Sequence, residues 1–291
     1  MRGVGESTAA ITVVNALPLG IGAAIGIDLK VRAEIELHPA GSTGRWEVRM
    51  SDAARTPLVV TSLDLALNRF APGSSGTGAL SLASEVPASR GLKSSSAVSS
   101  AIALSVAAAT DTAVEPLEIA RLSAEITRSA RVSATGAMDD ALAGLVPELV
   151  VTDNRRGELL RSFPVDPELE VALLVSRTTH RPSPDWIRAF EREGAPAQVA
   201  VDAALTGDWA VAMERNSEVV ERVMGYDYAS LRARLRSEGA VGSGVTGMGP
   251  ALAAVAPRAS VERVALTLPT RLGEHRVLRF SAAARRERGA S

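Results

Sequence analysis

The chain contains no cysteine, which excludes disulfides, thiol nucleophiles and thiolate metal sites together. That absence fits a reducing compartment, and a cytoplasmic location is expected. Aromatic residues make up only 3% and the formal net charge is −1, so neither a stacking platform nor a basic field for nucleic acid is present. Lysine is nearly missing as well: Lys30 and Lys93 are the only two, leaving thirty of the 32 basic residues as arginine. Residues 8–27 carry no charge, but Asn15, Pro18, Gly20, Gly22 and Gly26 interrupt the run. It therefore predicts neither a membrane span nor a cleaved leader. An anionic ligand would have to be held by a local arrangement of groups.

What remains is an ordinary globular balance, 46% hydrophobic and 22% charged over 291 residues, enough for one large domain or two modest ones. Residues 9–17 read as a strand. Residues 25–37 alternate, with Ile27, Leu29, Val31, Ala33, Ile35 and Leu37 on one face and Asp28, Lys30, Arg32, Glu34 and Glu36 on the other, which predicts a half-exposed strand. Trp46, Val48 and Met50 suggest another, and Leu80 and Leu82 a fourth after a loop over 71–78. Helical spacing predicts helices over 61–70, 94–109, from Pro116 onward, and over 138–145. Strands are expected at 147–152 and 169–176, then helices near 184–193, 196–206, 208–224 and 228–238. A glycine-rich turn at 242–249 precedes a strand from Ala251 to Ala256, a helix from about Ser260 and a last strand at 275–280; the tail, 284–291, reads as frayed surface. The order is that of a mixed α+β protein, and a boundary between 150 and 170 divides it into lobes of residues 1–160 and 161–291.

Three segments carry chemistry. In PASRGLKSSSAVSSAIAL, residues 87–104, a glycine and a serine run lead into an alanine-rich helix. Gly91 allows close approach of a ligand to the backbone, and the unpaired N–H groups of the first helical turn, with the helix dipole, make an anion site. Lys93 adds a full charge, and the hydroxyls of Ser94, Ser95 and Ser96 can donate to phosphate or bind magnesium. A plain serine N-cap would need only one of these groups. In SATGAMDDALAG, residues 133–144, Asp139 and Asp140 open a helix; a carboxylate there can accept a hydroxyl proton or bind magnesium, or simply complement the dipole. In GSGVTGMGPALAAV, residues 242–255, glycines with Ser243 and Thr246 form either a tight turn or a backbone surface that presses on a phosphate. The P-loop pattern GxxxxGK[ST] is absent, and GIGAAIG at 20–26 is followed by a strand where a dinucleotide fold needs a helix.

Together these segments resemble the GHMP kinases (galactokinase, homoserine kinase, mevalonate kinase and phosphomevalonate kinase). Pro87, Gly91, Leu92, Ser94 and Ser95 stand in register with the family's phosphate-loop motif, and Lys93 replaces its usual glycine. GLKSSSA, together with VVNALPLGIGAAIGIDLK (13–30), TGAMDDA (135–141) and TGMGPA (246–251), is similar to the archaeal-type shikimate kinases.

The resemblance implies an N-terminal lobe like ribosomal protein S5 domain 2 and a ferredoxin-like C-terminal lobe, with ATP and Mg2+ between them. ATP would contact Ser89, Arg90, Gly91, Leu92, Lys93, Ser94, Ser95, Ser96 and Ala97, with Gly247 and Gly249. Asp139 aligns with the catalytic aspartate, Asp140 being the alternative, and Lys93 would offset phosphate charge. Ser95 would bind magnesium, with Glu125 as a second candidate. Asn15, Gly22, Lys30 and Thr246 would line the acceptor side. The implied reaction is in-line phosphoryl transfer to an alcohol, shikimate first, with homoserine, pantoate or a mevalonate-like acceptor, or a non-catalytic nucleotide-binding protein, as alternatives. A carboxylate on the acceptor calls for an arginine, and Arg177 and Arg181, near His180, are candidates.

Overall fold

The computed structural model describes residues 1–41, 44–178 and 183–289. It contains two sheets. The N-terminal sheet begins with β1 (Arg2–Val14) and the long β2 (Ile21–Gly41), paired antiparallel along most of their length. After β3 (Trp46–Arg49) and α1 (Pro57–Phe70), β4 (Ser75–Ser84) pairs with the distal half of β2. The expected loop at 71–78 is thus shorter than its glycines and serines suggest, because Ser75–Gly78 already sit in the ladder with residues 37–41. Three helices follow: α2 (Ser94–Ala109), α3 (Pro116–Ser129) and α4 (Met138–Ala143). The proximal half of β2 then takes β5 (Glu148–Asp153) as its neighbour, and β6 (Glu158–Pro164) pairs with β5.

The centre of this lobe is α2, buried on nearly every side from Ser96 to Ala109. Its small side chains let it lie directly on β1. A Cβ at Gly5 would stand 2.3 Å from the Ala101 carbonyl oxygen, and one at Gly3 would stand 2.2 Å from that of Ser105. Only strand glycines facing an alanine- and serine-rich helix permit that contact.

The second sheet contains β7 (Leu169–Ser176), β8 (Gly242–Val245), β9 (Leu252–Pro257) and β10 (Gly273–Arg279), in the order β10-β7-β9-β8. Between β7 and β8 run α5 (Pro184–Glu191), α6 (Gly194–Leu205), α7 (Trp209–Met224) and α8 (Ala229–Ser237); α9 (Arg258–Thr267) follows β9. Both faces of β7 are covered, which is why LEVALLVS reads as one apolar run. Val171, Leu173 and Val175 join the large core shared with α6, α7 and the N-terminal sheet, whereas Ala172 and Leu174 pack with Val261 and Val264 of α9.

Three expectations are corrected. The division at 160/161 cuts through β6, whose partner is in the N-terminal sheet, and one continuous core crosses the proposed boundary. The glycine-rich stretch from 242 is not all turn: Gly242–Val245 is a buried strand, its glycines making room for Trp209 and the backbone at Met213 on α7. The tail is not wholly frayed, since β11 (Arg285–Arg288) pairs antiparallel with β1, Gly3 facing Arg288. Arginine and glutamate alone give no apolar period, so this strand is invisible to hydropathy patterning. Among the described residues no helix is long and apolar enough to cross a membrane.

Candidate active site

The entry to α2 is built from an unusual backbone. Gly91 (φ +80) and Lys93 (φ +62) both adopt the left-handed region on either side of the buried Leu92. Lys93 is itself the residue before the first helical turn, so the free N–H groups of Ser94–Ser96 open beside its ammonium group. A non-glycine residue with positive φ is strained, and Ser89, Lys93, Arg131 and Ala137, four of the five such residues described, line one cavity of about 910 Å³.

Lys93 and the two aspartates meet in that cavity. Lys93 Nζ lies 3.0 Å from Asp140 Oδ2, both side chains largely buried. Asp140 Oδ1 is buried without a hydrogen-bond partner. Burial, then the neighbouring Asp139, pushes the Asp140 carboxyl up to about 7, against the opposing pull of Lys93. Asp139 is also raised by burial, while Lys93 and a hydrogen bond from Asn154 pull the other way. Asn154 Nδ2 donates to Asp139 Oδ1 at 2.8 Å. Beneath Asp139 lies Gly22 of β2, where a Cβ would stand 2.5 Å from the carboxylate carbon. The glycine is what lets the carboxylate sit against the strand.

The third segment locks the loop before α2 from the other lobe. The Thr246 hydroxyl donates to the Gly91 carbonyl at 3.0 Å and accepts from the Thr12 N–H at 3.0 Å. The Gly247 N–H donates to Thr12 Oγ1, and Asn15 Nδ2 donates to the Gly247 carbonyl. Gly91 can carry no side chain here, because a Cβ would come 2.5 Å from the Thr246 carbonyl oxygen. Tyr226 and Tyr228 steady the far end of the turn, their hydroxyls donating to the Met248 and Pro250 carbonyls.

The structure thus brings to one cavity Ser89, Gly91, Leu92, Lys93, Ser94, Ser95, Ser96, Asp139, Asp140, Gly247, Gly249 and Asn15. Other expected residues stand elsewhere. Arg90 and Ala97 do not line it; Ala97 is buried inside α2. Lys30 faces outward with Asp28, 3.3 Å from its carboxylate, as the alternation of β2 demands of that face. Glu125 falls on the exposed face of α3, opposite Ile119, Leu122 and Ile126. Thr246 is fully buried with its hydroxyl engaged, and Gly22 supports Asp139 from below, so neither faces the cavity. Arg177 is exposed and outside the lining, whereas His180 and Arg181 lie outside the described residues. Arg128, Arg131, Thr12 and Asn154 were not signalled by the sequence. Arg128, Arg131 and Thr12 line the cavity and Asn154 holds Asp139, and no local motif surrounds any of them.

The donor set fits a magnesium nucleotide. A hard cation takes oxygen ligands and commonly draws several of them from phosphates and water. Among the described residues no cluster of three or more acidic, histidine or cysteine side chains exists to hold a metal unaided. The unpartnered Asp140 Oδ1 and the Ser95 hydroxyl at the helix entry are nevertheless oxygen groups that a phosphate-bound cation would use.

Residues 58–146 match the family model described as GHMP kinases N terminal domain. A shikimate kinase of Pyrococcus abyssi is 32% identical over 88% of this chain and 92% of its own. The shikimate kinase of Thermococcus kodakarensis is 35% identical over 86% of this chain and 90% of its own. The solved structure of Methanococcus jannaschii mevalonate kinase superposes with a TM-score of 0.70 at 12% identity, covering 96% of this chain and 98% of that one, which shows a common two-lobed fold. Matching the family model over residues 58–146 and related along nearly its whole length to these archaeal proteins, the chain belongs to the GHMP kinase family and groups within it with the shikimate kinases.

Proposed function

We propose that the protein transfers the γ-phosphoryl group of Mg-ATP to shikimate, giving 3-phosphoshikimate for aromatic amino acid biosynthesis in the cytoplasm. The observation that carries the kinase reading is the convergence of Lys93, Asp139 and Asp140 on the N-terminus of α2 within one cavity. The acceptor is supported by relatives of 32–35% identity over most of both chains that bear the name shikimate kinase.

On this reading the N–H groups and hydroxyls of Ser94–Ser96 hold the triphosphate, and the α2 dipole and Lys93 offset its charge. Ser95 and Asp140 would hold magnesium together with the phosphates, and when bound it would supply charge neutralisation at the transferring group. Asp139, raised by burial into the range of a usable base and held by Asn154, orients and deprotonates the acceptor hydroxyl. Catalysis is then mostly positioning and electrostatics, with no phosphoenzyme.

Coupled ADP release with shikimate, homoserine, pantoate and mevalonate tests this. Turnover with shikimate alone is expected, together with a loss of several orders of magnitude in Asp139→Asn that leaves ATP binding intact. Preferred turnover of another acceptor would overturn the substrate assignment, and an active Asp139→Asn the role of the base.

A further inference from the structure

We infer that Asn154 is a positioning residue for the reaction: held by Thr152, it fixes Asp139 in one rotamer with its free oxygen turned to the acceptor. This rests on the reading of Asp139 as the base, and adds a residue that touches neither nucleotide nor acceptor.

The hydrogen bonds define the amide's orientation. The Thr152 hydroxyl donates to Asn154 Oδ1 at 2.7 Å, so that oxygen is the acceptor end of the amide. The Asp139 backbone N–H points to the same atom at 3.4 Å. The amide nitrogen is therefore left for Asp139 Oδ1, which it meets at 2.8 Å. The Asn154 backbone is pinned in turn, its N–H donating to the Gly20 carbonyl at 2.8 Å. Asn154 is 3% exposed and Thr152 fully buried, and neither lines the cavity. One side chain thus grips both the carboxylate and the backbone of the same aspartate at the start of α4.

Such a grip removes rotamer freedom from a base, which Gly22 reinforces by leaving only the space a carboxylate fills. Removing the amide leaves the carboxylate free to turn away from that position, while the nucleotide side of the cavity keeps Lys93 and the serines of the α2 entry.

The test compares Asn154→Ala, Asn154→Asp and Thr152→Val with the unaltered enzyme, reading kcat and KM for each substrate, binding of an ATP analogue, and thermal unfolding for integrity. Asn154→Ala is expected to lower kcat about 30-fold or more with KM for ATP changed less than about threefold. Asn154→Asp, of the same shape but without the amide donor, should lower kcat at least as far, and Thr152→Val, which suits a strand and keeps the amide while freeing its orientation, should lower it less, again with KM for ATP nearly unchanged. A folded Asn154→Ala whose kcat stays within about threefold of the unaltered enzyme, or whose kcat and ATP binding fall together, would overturn the inference. If that variant does not fold, Thr152→Val decides by the same split between kcat and KM. Asp139→Asn run alongside separates the two claims: activity there removes the base itself, whereas its inactivity with fully active Asn154 variants removes only the positioning role.

Discussion

Lys93 and Asp140 come from segments 47 positions apart in the sequence, yet Nζ and Oδ2 stand 3.0 Å apart with little solvent around either. The pair joins the loop that begins α2 to the helix that bears the acidic residues. It keeps a positive charge where the phosphates of a nucleotide would rest.

Replacing Lys93 by methionine keeps the stem and removes the charge. The expected result is a fall in kcat of about 100-fold or more, with weaker Mg-ATP binding, because two buried carboxylates are left without their cation. Arginine should not restore the rate, since its planar fork does not match the left-handed entry that places a single ammonium. Steady-state kinetics with calorimetric titration of a nucleotide analogue checks both.

The Asp140 carboxyl titrates near 7 in the fold against 3.8 in a model peptide, so the folded state holds its proton over a range in which the unfolded chain has released it. Stability therefore falls as pH rises from about 4 to 7, and is level above that. Asp140→Asn lacks this titration. Relative to the wild type, its melting temperature should climb by a few degrees across that window and stay constant beyond it, in scans without nucleotide. A difference independent of pH would refute the assignment.

Gly22→Ala is expected to reduce kcat by about 100-fold with ATP affinity retained. Its methyl carbon would overlap the Asp139 carboxylate at 2.5 Å, and a base displaced by about 1 Å loses rate on that scale. If turnover is normal, Asp139 has room that the packing denies it.

Thr246→Val removes a hydroxyl and preserves shape. The bonds to the Gly91 carbonyl and from the Thr12 N–H are lost, at a cost of about 1–3 kcal/mol for buried groups left unpaired. The loop before α2 should loosen, raising KM for ATP several-fold while kcat changes less. Equal changes in both would point to a general loss of folding.

Much of this was legible in the residues. Helix α2 starts and stops where its entry serines and alanine-rich run predict, and β7 spans the run LEVALLVS, because local propensity and burial agree there. The sequence singles out the loop, the aspartates and the turn after β8, and the fold brings all three to one cavity. What escaped depends on distance. Asn154 and Thr12 act through partners 15 and more than 200 positions away, and nothing in TDNRRG or AITVV announces them. Lys30 stood out by rarity, but its place in the alternation of β2, on the same face as Asp28 and Arg32, already put it in solvent. Likewise, β11 has the composition of a tail and gains its order from the edge of β1.

That last strand has a consequence for biosynthesis. The outer edge of β1 is synthesised long before its partner, Arg285–Arg288. Until that later segment is made, the nascent lobe carries an open row of peptide groups able to recruit another strand, and the positive charges on Arg285, Arg286 and Arg288 arrive only when that row is closed.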